Sequence, residues 1–262
     1  MQEQSSKTSR FFKFIGCEIF YREACYLAAT GPNRVDIDFL EKGLHDLATE
    51  DMVAKIQATV DALAGSHRGY EAVLLGYARC NDGLVSVRAR DIPLVIPKAH
   101  DCITLFFGSR AGYQKYFDAN PGTYYETTGW VEHNNSATGQ VARPAYGQEG
   151  VMAKLGLSES YEQLVEKHGK DNADYIIETL GGWEQAYSKL CYIAMGLCDE
   201  EPLIEHARNR AREKQWQLDI RKGDMTLLER LFLGQWDDDF LIVQPGQAIV
   251  ARNDEEIIDV EW

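Results

Sequence analysis

Two short, uninterrupted apolar runs lie close together in the chain, at residues 72–76 (AVLLG) and 93–96 (PLVI). Runs of this length without polar alternation are typical of strands buried on both faces of a parallel sheet. Residues 82–90 leave room for a short crossover helix, and strands joined in this way lie parallel and close together. The sequence therefore predicts an α/β fold with a mainly parallel sheet flanked by helices.

The same rhythm continues along the chain. Further strands are predicted at residues 11–15, 35–39, 123–127, 190–195 and 216–220, with two closing strands at 240–243 and 248–250 around the turn Pro245-Gly246. Helices are predicted at residues 18–29, 50–64, 100–107, 111–117, 161–167, 173–180, 201–214 and 225–233. We expect a single α/β domain over residues 1–262, within which two lobes at about 1–120 and 151–262 are joined by the loop-rich segment 121–150. Because strands and helices alternate similarly in the two lobes, the lobes are also predicted to form a pseudo-symmetric pair.

Three cysteines follow three of the predicted strands at the point where each apolar run ends. Cys17 follows the first strand, Cys80 follows the run at 72–76, and Cys102 follows the run at 93–96, with His100 beside it. Open α/β sheets bind ligands at the carboxyl ends of their strands. We therefore expect these side chains to meet in one crevice.

Inside one helix, the side chains of His100 and Cys102 could not reach a common point. Side chains two residues apart on a helix diverge by about 200°, so the pair must span a turn between strand and helix. Asp101 is then a helix N-cap and Cys102 lies in the first turn, where backbone N–H groups and the helix dipole favour a thiolate. The same reasoning applies to Cys17 and Cys80, so a lowered pKa is expected for all three thiols.

One reading of this group is a metal centre. Cys17, Cys80, His100 and Cys102 match the ligand types of Zn²⁺, although another soft metal also suits them. A shell rich in thiolates leaves the metal with little net positive charge. Such a site is better suited to binding and activating a thiol substrate than to generating hydroxide.

Two other readings remain open. In a metal-free enzyme, Cys80 and Cys102 act as paired acid and base, or one thiol is a nucleophile activated by His100, with Asp101 as a further catalytic candidate. In a purely structural reading, Cys17 and Cys80 are small buried apolar residues and His100 is a hydrogen-bonded turn residue.

Other side chains near the strand ends are candidates for contacting the substrate. Asn81 and the adjacent backbone amides are placed to hold a carboxylate, and Arg79 and Lys98 to attract an anion. Tyr125 and Trp130, in the aromatic part of the 121–150 segment, are candidates for the wall of the pocket.

Composition restricts the partners and the compartment. A net charge of −14 argues against nonspecific binding to nucleic acid or to anionic membranes. No apolar run approaches the roughly 20 residues of a membrane span, and residues 1–10 lack a signal-peptide core. We therefore expect a cytoplasmic protein whose six cysteines are reduced. Signatures of nucleotide binding, zincins and serine hydrolases are missing.

Several segments together resemble the family called domain of unknown function 1638. They are residues 76–80, residues 92–105 with Gly108-Ser109, residues 121–125 with Gly129-Trp130, and residues 240–246. The resemblance implies no particular reaction, but genes of this family often lie near those of corrinoid-dependent methyltransferases. In addition, His100-x-Cys102 with a distant cysteine is similar to the zinc ligands of corrinoid-linked, thiol-methylating enzymes, which have another fold.

The leading hypothesis is a zinc-dependent, transferase-like enzyme that activates a thiol or similar soft small substrate in corrinoid-linked methyl or one-carbon metabolism. The first alternative is a metal-free cysteine isomerase or lyase acting on a small acid. The second is a noncatalytic accessory protein that binds a metal or a corrinoid, or a corrinoid protein partner.

Overall fold

A computed structural model describes residues 9–44, 48–80, 82–133, 166, 169–170 and 187–262. Its strands are β1 (Phe11–Cys17), β2 (Arg34–Leu40), β3 (Ala72–Gly76), β4 (Leu94–Pro97), β5 (Thr123–Thr127), β6 (Lys189–Ala194), β7 (Gln217–Lys222), β8 (Phe240–Val243), β9 (Ala248–Ala251) and β10 (Ile258–Glu261). Its helices are α1 (Tyr21–Thr30), α2 (Thr49–Asp61), α3 (Ile103–Phe106), α4 (Arg110–Ala119), α5 (Thr128–Glu132), α6 (Glu201–Glu213) and α7 (Thr226–Leu233), with a 3₁₀ turn at Glu18–Phe20. The predicted mixture of helices and strands is confirmed.

The main sheet has five strands in the order β2-β1-β3-β4-β8. Its first four strands are parallel, and only β8 runs antiparallel, beside β4. Every residue of β3 and β4 is buried, as their unbroken apolar runs predict. From β1 the chain passes to β2 on one side and then to β3 on the other. The carboxyl ends of β1 and β3 therefore flank a topological switch point, where such sheets leave a crevice.

Two glycines face each other next to this crevice. Gly16 of β1 pairs with Gly76 of β3, and the ring of Phe14 covers both. A methyl group on Gly76 would lie 2.2 Å from the Phe14 ring. Glycine at both positions lets an aromatic ring pack flat on the sheet just before the two strands end.

A second, smaller sheet contains β5, β6 and β7, all parallel. Cys191 and Ile193 of β6 belong to the core of the main sheet, while Leu190 and Tyr192 pack with α6 in a second cluster. Because successive strand residues point to opposite faces, β6 contributes to both cores. The possible pseudo-symmetry of two lobes stays a prediction.

Two predictions about local structure are wrong. Residues 82–90 contain turns at 82–86 instead of a crossover helix, because Asp82 and Ser86 adopt left-handed conformations with φ of 57° and 75°. The segment after residue 127, predicted as a loop, begins with α5. The two strands predicted around Pro245-Gly246 are present as β8 and β9, of which β8 joins the main sheet and β9 pairs with β10.

The other predicted elements agree with the structure to within a few residues. The helices predicted at 161–167 and 173–180 fall almost entirely outside the described residues, as does the segment from 134 to 150. Within the described ranges, no helix has the length and apolar character needed to cross a membrane.

Candidate active site

A small cavity lies at the carboxyl ends of β1 and β3, and we call it the cysteine cavity. Its lining residues are Cys17, Ile19, Leu44, Met52, Gly76, Tyr77, Cys80, Cys102 and Trp130. Its volume is about 20 Å³, slightly more than the roughly 10–15 Å³ that one water needs. The three cysteines predicted to converge therefore do share one cavity.

Backbone pairing beyond the strands brings the thiols together. Cys17 is the last residue of β1. After β3 and β4 end, Arg79 N–H donates to the Ala99 carbonyl at 2.9 Å, and Cys80 N–H donates to the His100 carbonyl at 3.1 Å. These two bonds continue the alignment of β3 and β4 into the following turns, so Cys80 and Cys102 end side by side.

The thiols of Cys80 and Cys102 share a hydrogen bond, which holds the pKa of Cys80 below its usual value of 9.0. Backbone N–H groups of Ala78 and Cys102 also point at the Cys80 sulfur and favour its anion, although burial opposes them. Because these backbone N–H groups stabilise the anionic form of Cys80, we assign the thiolate to Cys80 and the donating S–H to Cys102.

For the other two thiols, the predicted lowering of the pKa is wrong. The hydrogen bond to Cys80 together with burial raises the pKa of Cys102 well above 9.0. Burial raises the pKa of Cys17 to about 12. Desolvation of a thiolate outweighs the short helix and turn that follow these residues, so Cys80 is the one of the three thiols whose pKa is lowered.

Cys80 has an unusual backbone conformation, with φ of 29°. Non-glycine residues rarely adopt left-handed φ values, and such strain costs about 1–3 kcal/mol and tends to occur at functional sites.

Tyr77 follows β3 directly and is 3% exposed. Its hydroxyl is buried and forms no hydrogen bond within the described part of the chain. Burial and the nearby thiols Cys17 and Cys80 raise its pKa well above 10.0. Tyr77 therefore presents a neutral phenol to the thiols, and a phenol can donate a hydrogen bond.

Trp130 is fixed as one wall of the cavity by several contacts. Thr127 caps α5 by accepting the Trp130 N–H at 3.1 Å. The Lys42 ammonium donates to the Trp130 carbonyl at 3.2 Å and lies 4.1 Å from the centre of the indole ring. Gly129 lets α5 approach the turn after Cys17, since a methyl there would lie 1.9 Å from the Ile19 oxygen.

Asp101 holds the turn that carries Cys102. Its carboxylate accepts the Thr104 N–H at 3.2 Å and the Tyr113 hydroxyl at 2.8 Å. Asp101 therefore accepts a backbone N–H of α3, but the helix begins at Ile103 with Cys102 as its N-cap residue, so the predicted place of Cys102 in the first turn is wrong. The negative charge of Asp101 opposes ionisation of both Cys80 and Cys102. Its catalytic role stays a prediction.

His100 is exposed and is not among the residues that line the cavity. Among the residues that the structure describes, no three His, Cys, Asp or Glu side chains are arranged to hold a metal ion. The three thiols thus share a cavity without forming a ready metal cage. The predicted ligand set of Cys17, Cys80, His100 and Cys102 would require rearrangement of the His100 turn.

Three of the predicted substrate contacts lie elsewhere. Arg79 forms an ion pair with Asp82 and bonds the Arg252 carbonyl at 2.9 Å. Lys98 pairs with Glu256. Tyr125 packs against Phe107, Tyr113 and Tyr116 in a separate aromatic cluster. Trp130 lines the cavity, and Asn81 lies outside the described residues.

Sequence reasoning missed Tyr77 and the apolar wall formed by Ile19, Leu44 and Met52. Tyr77 could have been predicted as a site residue, because it is the first residue after a fully buried strand that ends at the predicted crevice. In the sequence, Met52 of α2 cannot be told from an ordinary core residue. Its contact with the site depends on how α2 packs across the sheet.

These features define an α/β protein with a mainly parallel sheet and a cysteine-lined cavity at its switch point. The profile of the family described as "Protein of unknown function (DUF1638)" matches residues 39–232 of the 262. The chain belongs to this family, as the sequence resemblance indicated. The matched span includes Cys80, His100 and Cys102, while Cys17 precedes it. Comparison with curated proteins and with solved structures gave no significant match.

Proposed function

We propose that the protein is a metal-free cysteine enzyme in which Cys80 is the reacting thiolate and Cys102 is its proton donor. The observation that carries this proposal is the hydrogen-bonded pair of unlike thiols in one cavity. Covalent cysteine catalysis needs a thiolate beside a group that can return a proton. Cys80 and Cys102 supply these two roles.

The surroundings of the pair support this role. The site lies at the carboxyl ends of parallel strands, at the switch point where open α/β sheets bind ligands. Apolar side chains such as Met52 and Leu44 wall the cavity, and exclusion of water strengthens electrostatic contacts between enzyme and substrate. Reaction on a small substrate by isomerase or lyase chemistry fits this setting. The chemistry requires free thiols, so the proposal places the enzyme in the reducing cytoplasm.

Site-resolved alkylation tests the proposal. Anaerobically purified protein is treated at pH 7 with limiting iodoacetamide, and each cysteine is followed by peptide mass spectrometry. Cys80 should be modified well before Cys25 and Cys198, which are also partly exposed but have raised pKa values. Cys102→Ala should slow modification of Cys80, because it removes the hydrogen bond to the thiolate.

Cys25→Ala is the matched control, since Cys25 lies on α1 outside the cavity, and it should leave the Cys80 rate unchanged. Modification of Cys80 no faster than that of Cys25 and Cys198 would overturn the proposal. So would a Cys80 rate that is the same with and without Cys102.

A second candidate is a site for zinc or another soft metal that activates a thiol substrate. The observation that favours it is that Cys17, Cys80 and Cys102 line one cavity, and thiolates are the preferred ligands of soft metals. Metal analysis separates the two candidates. Stoichiometric metal that is lost in Cys102→Ser supports the metal site, whereas metal-free protein with a fast-reacting Cys80 supports cysteine catalysis.

The link to corrinoid-dependent methyl transfer, as an enzyme or as an accessory protein, rests on the family resemblance and on the similarity of His100-x-Cys102 to the zinc ligands of corrinoid-linked enzymes. It stays a prediction, as do the anion-binding roles of Arg79, Lys98 and Asn81. For Arg79 and Lys98 to bind a substrate anion, their ion pairs with Asp82 and Glu256 would have to open.

A further inference from the structure

Tyr77 lines the cysteine cavity, and its hydroxyl is a buried hydrogen-bonding group, near Cys17 and Cys80, that lacks a partner among the described residues. A buried hydroxyl without a hydrogen bond destabilises a folded protein, and native structures rarely leave one unpaired. Such a group on the wall of a cavity indicates that its partner is the molecule that enters the cavity.

The charges around the cavity argue for an uncharged occupant. None of its described lining residues is Lys, Arg, Asp or Glu. Two carboxylates, Glu18 and Asp101, lie near the thiols and oppose their ionisation, while the charge of Lys42 favours ionisation of Cys17. Lys42 is also held over the Trp130 ring. The Cys80 thiolate would repel an anionic substrate, and the described lining of the cavity supplies no cation to offset this repulsion.

We propose that the cysteine cavity binds a small, uncharged carbonyl compound, whose oxygen accepts a hydrogen bond from Tyr77 while Cys80 faces its carbonyl carbon. This inference rests on the function proposed for Cys80 and names the substrate class for it. A carbonyl group suits both Tyr77 and Cys80, because its oxygen accepts a hydrogen bond from the phenol and its carbon is an electrophile for the thiolate.

The reaction step balances without an oxidant or a metal. The Cys80 sulfur forms a bond to the carbonyl carbon, and the π electrons of the C=O bond move to its oxygen. The oxygen then takes a proton from the Cys102 thiol, which becomes a thiolate. Tyr77 keeps its proton and stabilises the oxygen by a hydrogen bond as negative charge develops there. The adduct is a hemithioacetal, and the reverse step restores the starting groups.

The cavity limits the size of the compound. A volume of about 20 Å³ is little more than the roughly 10–15 Å³ that one water needs, so even a compound of three heavy atoms enters only if the walls move. A ligand of three heavy atoms gains at best an affinity on the order of millimolar. Acetaldehyde, which has three heavy atoms and no charge, is therefore the probe.

Tyr77→Phe removes the hydroxyl and keeps the ring, so it separates ligand binding from packing. If the hydroxyl serves the ligand, its removal relieves an unpaired buried group, and the melting temperature of the variant should stay the same or rise. Tyr26→Phe, which alters a tyrosine that is 46% exposed on α1, is the matched control.

The assay is protection of Cys80 from iodoacetamide by millimolar acetaldehyde, with ethanol and acetate as probes that lack the carbonyl or carry a charge. Acetaldehyde should slow alkylation of Cys80, and ethanol and acetate should not. Tyr77→Phe should weaken this protection roughly 3- to 10-fold, where protection is expressed relative to the alkylation rate of the same variant without acetaldehyde. Tyr26→Phe should behave as wild type.

The outcomes distinguish this inference from the function on which it rests. If Cys80 alkylates rapidly but acetaldehyde protects it no better than ethanol, or protects the Tyr77→Phe variant equally well, the inference is wrong and cysteine catalysis stands. If acetate protects Cys80 as well as acetaldehyde does, the substrate is anionic and the inference is wrong. If Cys80 does not alkylate rapidly in the absence of any probe, the proposed function itself fails.

Discussion

The side chain of Glu23 is a buried acid in the middle of a packed helix face. It lies on α1, it is 0% exposed, and neither carboxylate oxygen has a hydrogen-bond partner in the described part of the chain. Burial raises its pKa from 4.5 to about 7, with Glu200 and Glu132 adding to the rise and Arg22 opposing it. We expect Glu23→Gln to stabilise the protein in a manner that depends on pH.

The magnitude follows from the two pKa values. A rise from 4.5 to about 7 corresponds to roughly 3 kcal/mol, at about 1.4 kcal/mol for each pKa unit. Below pH 4.5 the folded and unfolded states both carry the proton, so the group has no effect. Between the two values the unfolded state loses its proton first, and the free energy of unfolding therefore falls as the pH rises. Above the folded pKa the full penalty is present.

Urea unfolding of wild type and Glu23→Gln at pH values from 5 to 8 measures this effect. The advantage of the variant should grow by about 2–3 kcal/mol over this range, because groups common to both proteins, including Glu200, Glu132 and Cys198, cancel in the difference. The buried side-chain amide that Glu23→Gln introduces also lacks a partner, and it changes the free energy of unfolding by the same amount at every pH. Glu213→Gln, at an exposed site, should show no such trend. A constant difference between wild type and Glu23→Gln would refute the reasoning.

Two further predictions concern the thiol pair and the cavity wall. The thiol oxidant diamide should join Cys80 and Cys102 in a disulfide, seen by non-reducing peptide mapping, because their sulfurs are already in hydrogen-bond contact; a bridge from Cys80 to Cys17 instead would contradict the assigned pairing. Gly129→Ala should lower the free energy of unfolding by about 1–3 kcal/mol, because its methyl would lie 1.9 Å from the Ile19 oxygen. Unchanged stability in urea would show that α5 and this turn are not in close contact.

Apolar patterning predicted most of the local elements of this fold. The runs at 72–76 and 93–96 became adjacent parallel strands, and the alternation at 35–39 became a strand with partly exposed faces. The order of the strands and the partner of β8 were beyond prediction, because they depend on contacts between distant segments. The missing helix at 82–90 reflects left-handed conformations that are not apparent in its residue types.

The sequence allowed prediction of the three cysteines of the candidate site, but not of the pKa directions of Cys17 and Cys102. Three thiols at strand ends were expected to converge, and they do. The pKa directions of Cys17 and Cys102 were missed because they are set by the depth of burial, which is a property of tertiary packing. His100 was expected inside the site, but the direction in which a turn side chain points is not encoded in its spacing from Cys102.

The most direct test of the proposed chemistry is the alkylation rate of Cys80 as a function of pH, measured with excess iodoacetamide and peptide mass spectrometry. The rate should follow the thiolate fraction, with a midpoint below the ordinary thiol value of 9.0 that moves upward in Cys102→Ala. A Cys80 midpoint at or above 9.0, or a midpoint unchanged by loss of Cys102, would contradict the assignment of Cys80 as the activated thiolate.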